Sequence, residues 1–206
     1  MRLTYESDKE IKQPKKKEPE VQSIGQFIWE LAKIVIISLA IIIPIRVFLI
    51  QPFYVKGASM EPTFYDNQYL IIDEISYRFS EPQRGDVVVI KYPQDPSQYF
   101  IKRIIGLPGE TIDIKDGSVY IKISKSIEEI KINEPYLAEG IITNGEKQIS
   151  LGADEYYLLG DNRPSSLDSR SFGPVNEKYI VGKTWIRVWP FDKFHHFTMV
   201  NYNISP

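Results

Sequence analysis

YFIKRIIGLPG, residues 99–109, sets a single lysine within an aromatic and β-branched run and closes that run with a Gly-Pro-Gly turn. Such a run reads as a strand. Alternation then places Lys102 on the same side as Phe100 and Ile104, with Ile101 and Arg103 on the other. A lysine on an apolar strand face either packs its stem and keeps its head in water, or is a desolvated amine. Desolvation lowers its pKa and makes it a usable base. The residue types alone leave both readings open.

Runs of the same character lie on either side: YLIIDEI (69–75), DVVVIKY (86–92), SVYIKIS (118–124), EYYLLGD (155–161) and TWIRVWP (184–190). Turn signals punctuate them at Arg84-Gly85-Asp86, Asp116-Gly117 and Asn144-Gly145. No long amphipathic helical pattern follows residue 50. The predicted fold is mainly β and antiparallel. Its main domain is built from 51–112 and 153–206, and 113–152 forms an inserted, hairpin-rich subdomain.

Upstream, composition changes abruptly. FIWELAKIVIISLAIIIPIRVFLI, residues 27–50, is dominated by Ile, Leu, Val and Phe, and about 20 such residues span a bilayer. Glu30, Lys33 and Arg46 lie near its ends, where they reach headgroups or snorkel, and Pro44 is tolerated in a membrane helix. Residues 1–26 read as a polar, mobile tail. Because Arg2, Lys9, Lys12, Lys15, Lys16 and Lys17 precede the span, the tail is predicted to stay in the cytoplasm. Residues 51–206 are then exported across the plasma membrane, or its equivalent inner membrane. A cleaved leader does not fit, because the apolar stretch starts late and no small-x-small site follows it.

Composition narrows the chemistry. The formal charge of −2 over 206 residues supplies no basic excess for nucleic acid. Absence of cysteine removes disulfides and thiolate catalysis together. The only two histidines, His195 and His196, are adjacent and do not share a face, so neither a metal nor any other cofactor is predicted. The C-terminal aromatics Trp185, Trp189, Phe191, Phe194 and Phe197 are consistent with either core or an apolar rim.

Two further segments carry polar chemistry. In Gly57-Ala58-Ser59-Met60-Glu61-Pro62-Thr63, small neighbours let a carbonyl approach Ser59 and leave its amide N–H available as a donor. GDNRPSSLDSRSFG, residues 160–173, reads equally as a hydrogen-bonded surface loop with an Asp168–Arg170 pair or as a loop that positions polar groups around a site. SMEPT, FIKRIIGLPGE and GDNRPSSLDSRSFG, in this order after an apolar span, closely resemble type I signal peptidases. These Ser–Lys enzymes release exported precursors from their signal peptides, and the resemblance covers most of residues 27–190.

The resemblance implies Ser59 as nucleophile and Lys102 as general base. It implies Ser166 as a serine that hydrogen-bonds the lysine, and Asp168 with Arg170 as a supporting ion pair. Asp161 and Asn162 would shape the same loop, and Phe53, Val55, Met60 and Ile101 would line pockets for small residues before the cut. It implies as partners a signal-peptide-bearing precursor and the lipid bilayer, and a β-domain carrying an insertion. Many family members have an oxyanion-hole serine two positions before the nucleophile. Here that position is Gly57, which is expected to supply the second donor site and to accept serine. A self-cleaving Ser–Lys regulator would carry a DNA-binding module in place of the anchor. An inactive tethered β-domain would not need Ser59, Lys102, Ser166 and Asp168 together.

Overall fold

The computed structural model describes residues 24–48, 50–123 and 128–197, with side chains placed outside 44–51. In chain order the elements are α1 (Ile24–Phe48), β1 (Ile50–Tyr54), β2 (Tyr69–Asp73), β3 (Val87–Tyr92), β4 (Asp95–Gly106), β5 (Thr111–Lys115) and β6 (Ser118–Lys122). They continue with β7 (Ile130–Lys131), β8 (Lys147–Ser150), β9 (Glu155–Leu159), α2 (Ser169–Phe172), β10 (Val175–Asn176), β11 (Ile180–Trp189) and β12 (His195–His196).

α1 is apolar on every side, and its 20-residue stretch Ile24–Ile43 has a mean hydropathy of 2.1 with no buried residue. It is long and apolar enough to cross a membrane. The helix opens at Ile24 rather than at 27. It runs through Pro44 and gives way to β1 at Ile50, so the apolar run at 49–50 belongs partly to a strand. Residues 1–23 of the tail expected over 1–26, and the side chain of Arg46, lie outside what is described.

The rest of the described chain is mainly antiparallel β. One eight-stranded sheet has the order β1-β2-β11-β3-β4-β9-β10, with β12 added to β11. A second sheet of four strands, β7-β6-β5-β8, comes from the insertion and begins at Thr111, two residues before the edge read from the sequence. The two sheets share a core. Ile105, Tyr157 and Leu159 of the large sheet pack with Ile112, Ile114, Val119, Ile121 and Ile132 of the small one. Gly106 is where they meet, since a Cβ there would lie 2.6 Å from Ile112 Cδ1.

Two further clusters fill the large sheet. Val55, Met60, Phe64, Leu70, Ile72, Val87 and Val89 form one, and Val88, Ile90, Ile104, Tyr156, Leu158 and Val175 the other. The C-terminal aromatics divide. Phe197 packs on Phe64 with ring centroids 4.5 Å apart, whereas Trp185, Trp189, Phe191 and Phe194 stay between 40 and 76% exposed.

Candidate active site

Three separate stretches meet at one point: the turn between β1 and β2, the middle of β4, and the loop after β9. β4 is flanked by β3 and β9, with Lys102 opposite Val88 and Arg103 opposite Leu159. This central position leaves Lys102 only 3% exposed. Its Nζ donates to Ser59 Oγ at 3.0 Å and to the Ile101 carbonyl at 2.8 Å, and lies 5.3 Å from the centre of the Phe100 ring. Burial brings the amine down to about 8, against the opposing pull of the Asp168 and Asp161 carboxylates. Of the two readings open from sequence, the structure selects the desolvated amine.

Ser59 is held from the other side. Asn162 donates its backbone N–H to the Ser59 carbonyl at 3.1 Å and its side-chain amide to the Ala58 carbonyl at 3.0 Å. Asp161 is buried and takes a bidentate pair of hydrogen bonds from Arg103, at 2.8 and 2.6 Å. The same carboxylate accepts the Thr63 hydroxyl at 2.6 Å. Asp161 and Asn162 thus lock the turn bearing Ser59 to the strand that carries Lys102. Gly160 is what permits this approach, for a Cβ there would lie 2.5 Å from the Ser59 carbonyl oxygen.

Asp168 is fully buried. It receives Arg170 Nε and Nη2, both at 2.8 Å, caps α2 through the Arg170 N–H, and accepts the Gly160 N–H at 3.1 Å. The ion pair implied by the resemblance is therefore present, and it fixes the loop at Gly160.

Three placements differ from the expectations. Ser166 Oγ is buried without a hydrogen-bond partner, because Lys102 directs its bonds to Ser59 and to its own strand. Gly57 has φ +90°, and its N–H is already donated to Asp66 Oδ1 at 2.7 Å, so it is not a free oxyanion donor. Met60 is 1% exposed and packs into the core beneath the site instead of lining its cavity.

That cavity, about 110 Å³, is bounded by Phe53, Val55 and Ile101, and also by Leu70, Val89, Tyr99 and Phe100, with Ser59 and Lys102 at its edge. Leu70 and Val89 could have been found from strand alternation in YLIIDEI and DVVVIKY. The Arg103–Asp161 pair could not, since its members stand 58 residues apart. Among the described residues no cluster of His, Asp or Glu has the arrangement of a metal site. His195 and His196 sit on β12, where His196 Nε2 accepts the Trp185 indole N–H at 3.0 Å.

Residues 28–189 match the model of the family described as signal peptidase, peptidase S26. A probable signal peptidase I-2 of Synechocystis sp. is 37% identical over 167 residues, covering 78% of this chain and 73% of that protein. Signal peptidase I of Bacillus licheniformis is 32% identical over 176 residues, covering 81% and 91%. A signal peptidase I crystal structure from Enterococcus faecalis V583 is 29% identical with a TM-score of 0.43, covering 50% of this chain and 97% of that one.

Proposed function

The chain belongs to the signal peptidase family, peptidase S26, and from that membership we infer that it is a serine endopeptidase that cleaves signal peptides from secreted precursor proteins, with Ser59 as nucleophile and Lys102 as general base. The observation that carries the residue assignment is the 3.0 Å contact between Lys102 Nζ and Ser59 Oγ at a buried amine.

Neutral Lys102 takes the Ser59 proton as Oγ attacks the carbonyl carbon of the residue before the cut. The backbone N–H of Ser59 faces the developing oxyanion, and electrostatic stabilisation there supplies much of the rate. As the tetrahedral intermediate collapses, the C–N bond breaks and the Lys102 ammonium gives its proton to the leaving amine, leaving an ester on Ser59. A water, deprotonated by Lys102, then hydrolyses the ester and restores the enzyme. A cavity of about 110 Å³ beside Ser59 suits a small side chain before the scissile bond. Larger side chains are rejected sterically, since such a packed site yields only by displacing its walls.

α1 serves as the membrane anchor. The lysines and arginine preceding it support a cytoplasmic N-terminus with the β-domain on the far side. Protease added to the extracytoplasmic face of sealed vesicles should then reach residues 51–206 and spare the tail; a protected β-domain would reverse the orientation.

The enzymatic test is cleavage of a purified precursor by the full-length protein in detergent, with N-terminal sequencing of the product. Ser59→Ala and Lys102→Arg should both be inactive, the latter because arginine does not release its proton. Because the neutral amine is the working form, kcat should climb about tenfold from pH 7 towards a plateau above about pH 9. A wild-type protein that cuts no faster than Ser59→Ala would overturn the reading.

A further inference from the structure

The segment joining β7 to β8 carries Glu134 and Tyr136, and both reach the catalytic loop. The Arg163 side chain has no exposed surface. Its Nη2 pairs with Glu134 Oε1, its Nη1 reaches Glu134 Oε2 at 3.1 Å and also the Thr143 hydroxyl, and its Nε donates to the Gly160 carbonyl at 3.0 Å. The Tyr136 hydroxyl lies 3.4 Å from Nη2. The Tyr136 ring also stacks beneath the second arginine of the site, with Arg103 Cζ 3.9 Å from the ring centre. One short segment of the insertion therefore grips both guanidinium groups that frame residues 160–163.

From there the path to the nucleophile is short. The Arg163 N–H returns to the Asp161 carbonyl at 3.1 Å, and Arg103 holds the Asp161 carboxylate. Asn162, between them, carries the two hydrogen bonds to the carbonyls of Ala58 and Ser59. The Arg163 carbonyl accepts Arg170 Nη2 at 2.6 Å, so the Asp168 pair is linked to the same residue. A buried guanidinium that loses its carboxylate keeps an uncompensated charge. The least costly relief is for Arg163 to turn towards water, and its backbone, flanked by Asn162, would move with it.

We propose that Glu134, assisted by Tyr136, is a positioning residue of the inserted sheet, acting through Arg163 and Asn162 to set Ser59 against Lys102. This rests on the peptidase reading above. The residue touches neither substrate nor the reacting atoms. Its effect appears in the chemical step more than in the binding cavity, whose walls come from β1, β2, β3 and β4 and from the start of the turn after β1, with only Ser59 shared. Displacement of a reacting group by about 1 Å costs on the order of a hundredfold in rate.

The experiment measures kcat and KM on one purified precursor, per folded molecule of full-length enzyme in detergent, for wild type, Glu134→Gln, Tyr136→Leu and Ser59→Ala. Glu129→Gln is the control, since Glu129 belongs to the same insertion but pairs with Lys115 at its surface. Glu134→Gln should lower kcat by about tenfold to a hundredfold with KM held within about twofold, and Tyr136→Leu should lower it less, in the same pattern. Glu129→Gln should match wild type. Should Glu134→Gln not accumulate as folded protein, Thr143→Val removes one acceptor from Arg163 and should lower kcat severalfold, again at constant KM.

A kcat within about twofold of wild type in the folded variants would make the ion pair merely structural and overturn the assignment. So would a change confined to KM, or an equal loss in Glu129→Gln. Failure of the peptidase reading itself shows separately, as a wild-type rate no greater than that of Ser59→Ala.

Discussion

Replacing Lys102 with methionine should remove all activity and at the same time make the protein more stable at neutral pH. The amine is 3% exposed, and burial brings its pKa from 10.5 to about 8. At about 1.4 kcal/mol per unit, keeping it charged in the fold at pH 7 costs about 3 kcal/mol. Methionine forfeits the bonds from Nζ to Ser59 Oγ and the Ile101 carbonyl, which together return about 2 kcal/mol of that. The net expectation is a gain of about 1 kcal/mol.

The pH dependence is the sharper reading, because the lost hydrogen bonds cancel out of it. Below about pH 8 both the folded and the unfolded wild-type chains hold the proton, and the full penalty stands. Between about 8 and 10.5 only the unfolded chain holds it, so wild-type stability climbs with pH while the variant gains nothing from this site. Denaturant unfolding of full-length protein in detergent should show the advantage of Lys102→Met shrinking by about 2 kcal/mol between pH 7 and pH 9.5. An advantage that stays constant or widens with pH would refute the desolvated base.

Both Gly57→Ala and Gly57→Ser should lose activity. Space is open around the position, but φ is +90°, and any side chain there costs about 1 kcal/mol or more of backbone strain; a fully active serine variant would show that the turn relaxes freely. Ser166→Ala should leave stability unchanged or raise it by about 1 kcal/mol in a thermal melt, since its hydroxyl is buried without a partner. Its kcat should fall by less than about tenfold, and a loss nearer a thousandfold would mean that the hydroxyl turns to Lys102 once substrate binds. Gly160→Ala should abolish cleavage, its Cβ driven into the Ser59 carbonyl, and an active variant would show that the loop backs away.

The strands that could be read from the chain are those whose burial is written in consecutive apolar residues. VVVI in β3 is buried throughout and FIKRII in β4 is buried from Lys102 onward, and both runs announce themselves. β8, with the sequence KQIS, lies at an edge and buries little, so its residue types carry no signal. β1 escaped for the opposite reason, its first isoleucine being continuous with the apolar helix before it. At the site, Ser59 and Lys102 were legible through flanking motifs. What joins them was not, because Arg103 with Asp161 and Arg163 with Glu134 pair across 58 and 29 residues of chain. Charges in those motifs look alike whether they face water or each other. Gly57 misled in a particular way: a glycine that replaces a serine reads as a missing side chain, whereas here its backbone angle is the reason for its presence.

The core shared by the two sheets governs which motions the enzyme permits itself. Ile105, three residues beyond Lys102 on β4, is buried by Ile112, Ile114 and Val119 of the small sheet. Peeling that sheet away would expose the strand bearing Lys102, so the two cannot open as independent cooperative units. Backbone amides in the centres of β5 and β6 should accordingly exchange with deuterium as slowly as those of β4, through global opening alone. β12, paired to β11 by only two residues, should exchange through local fraying long before either.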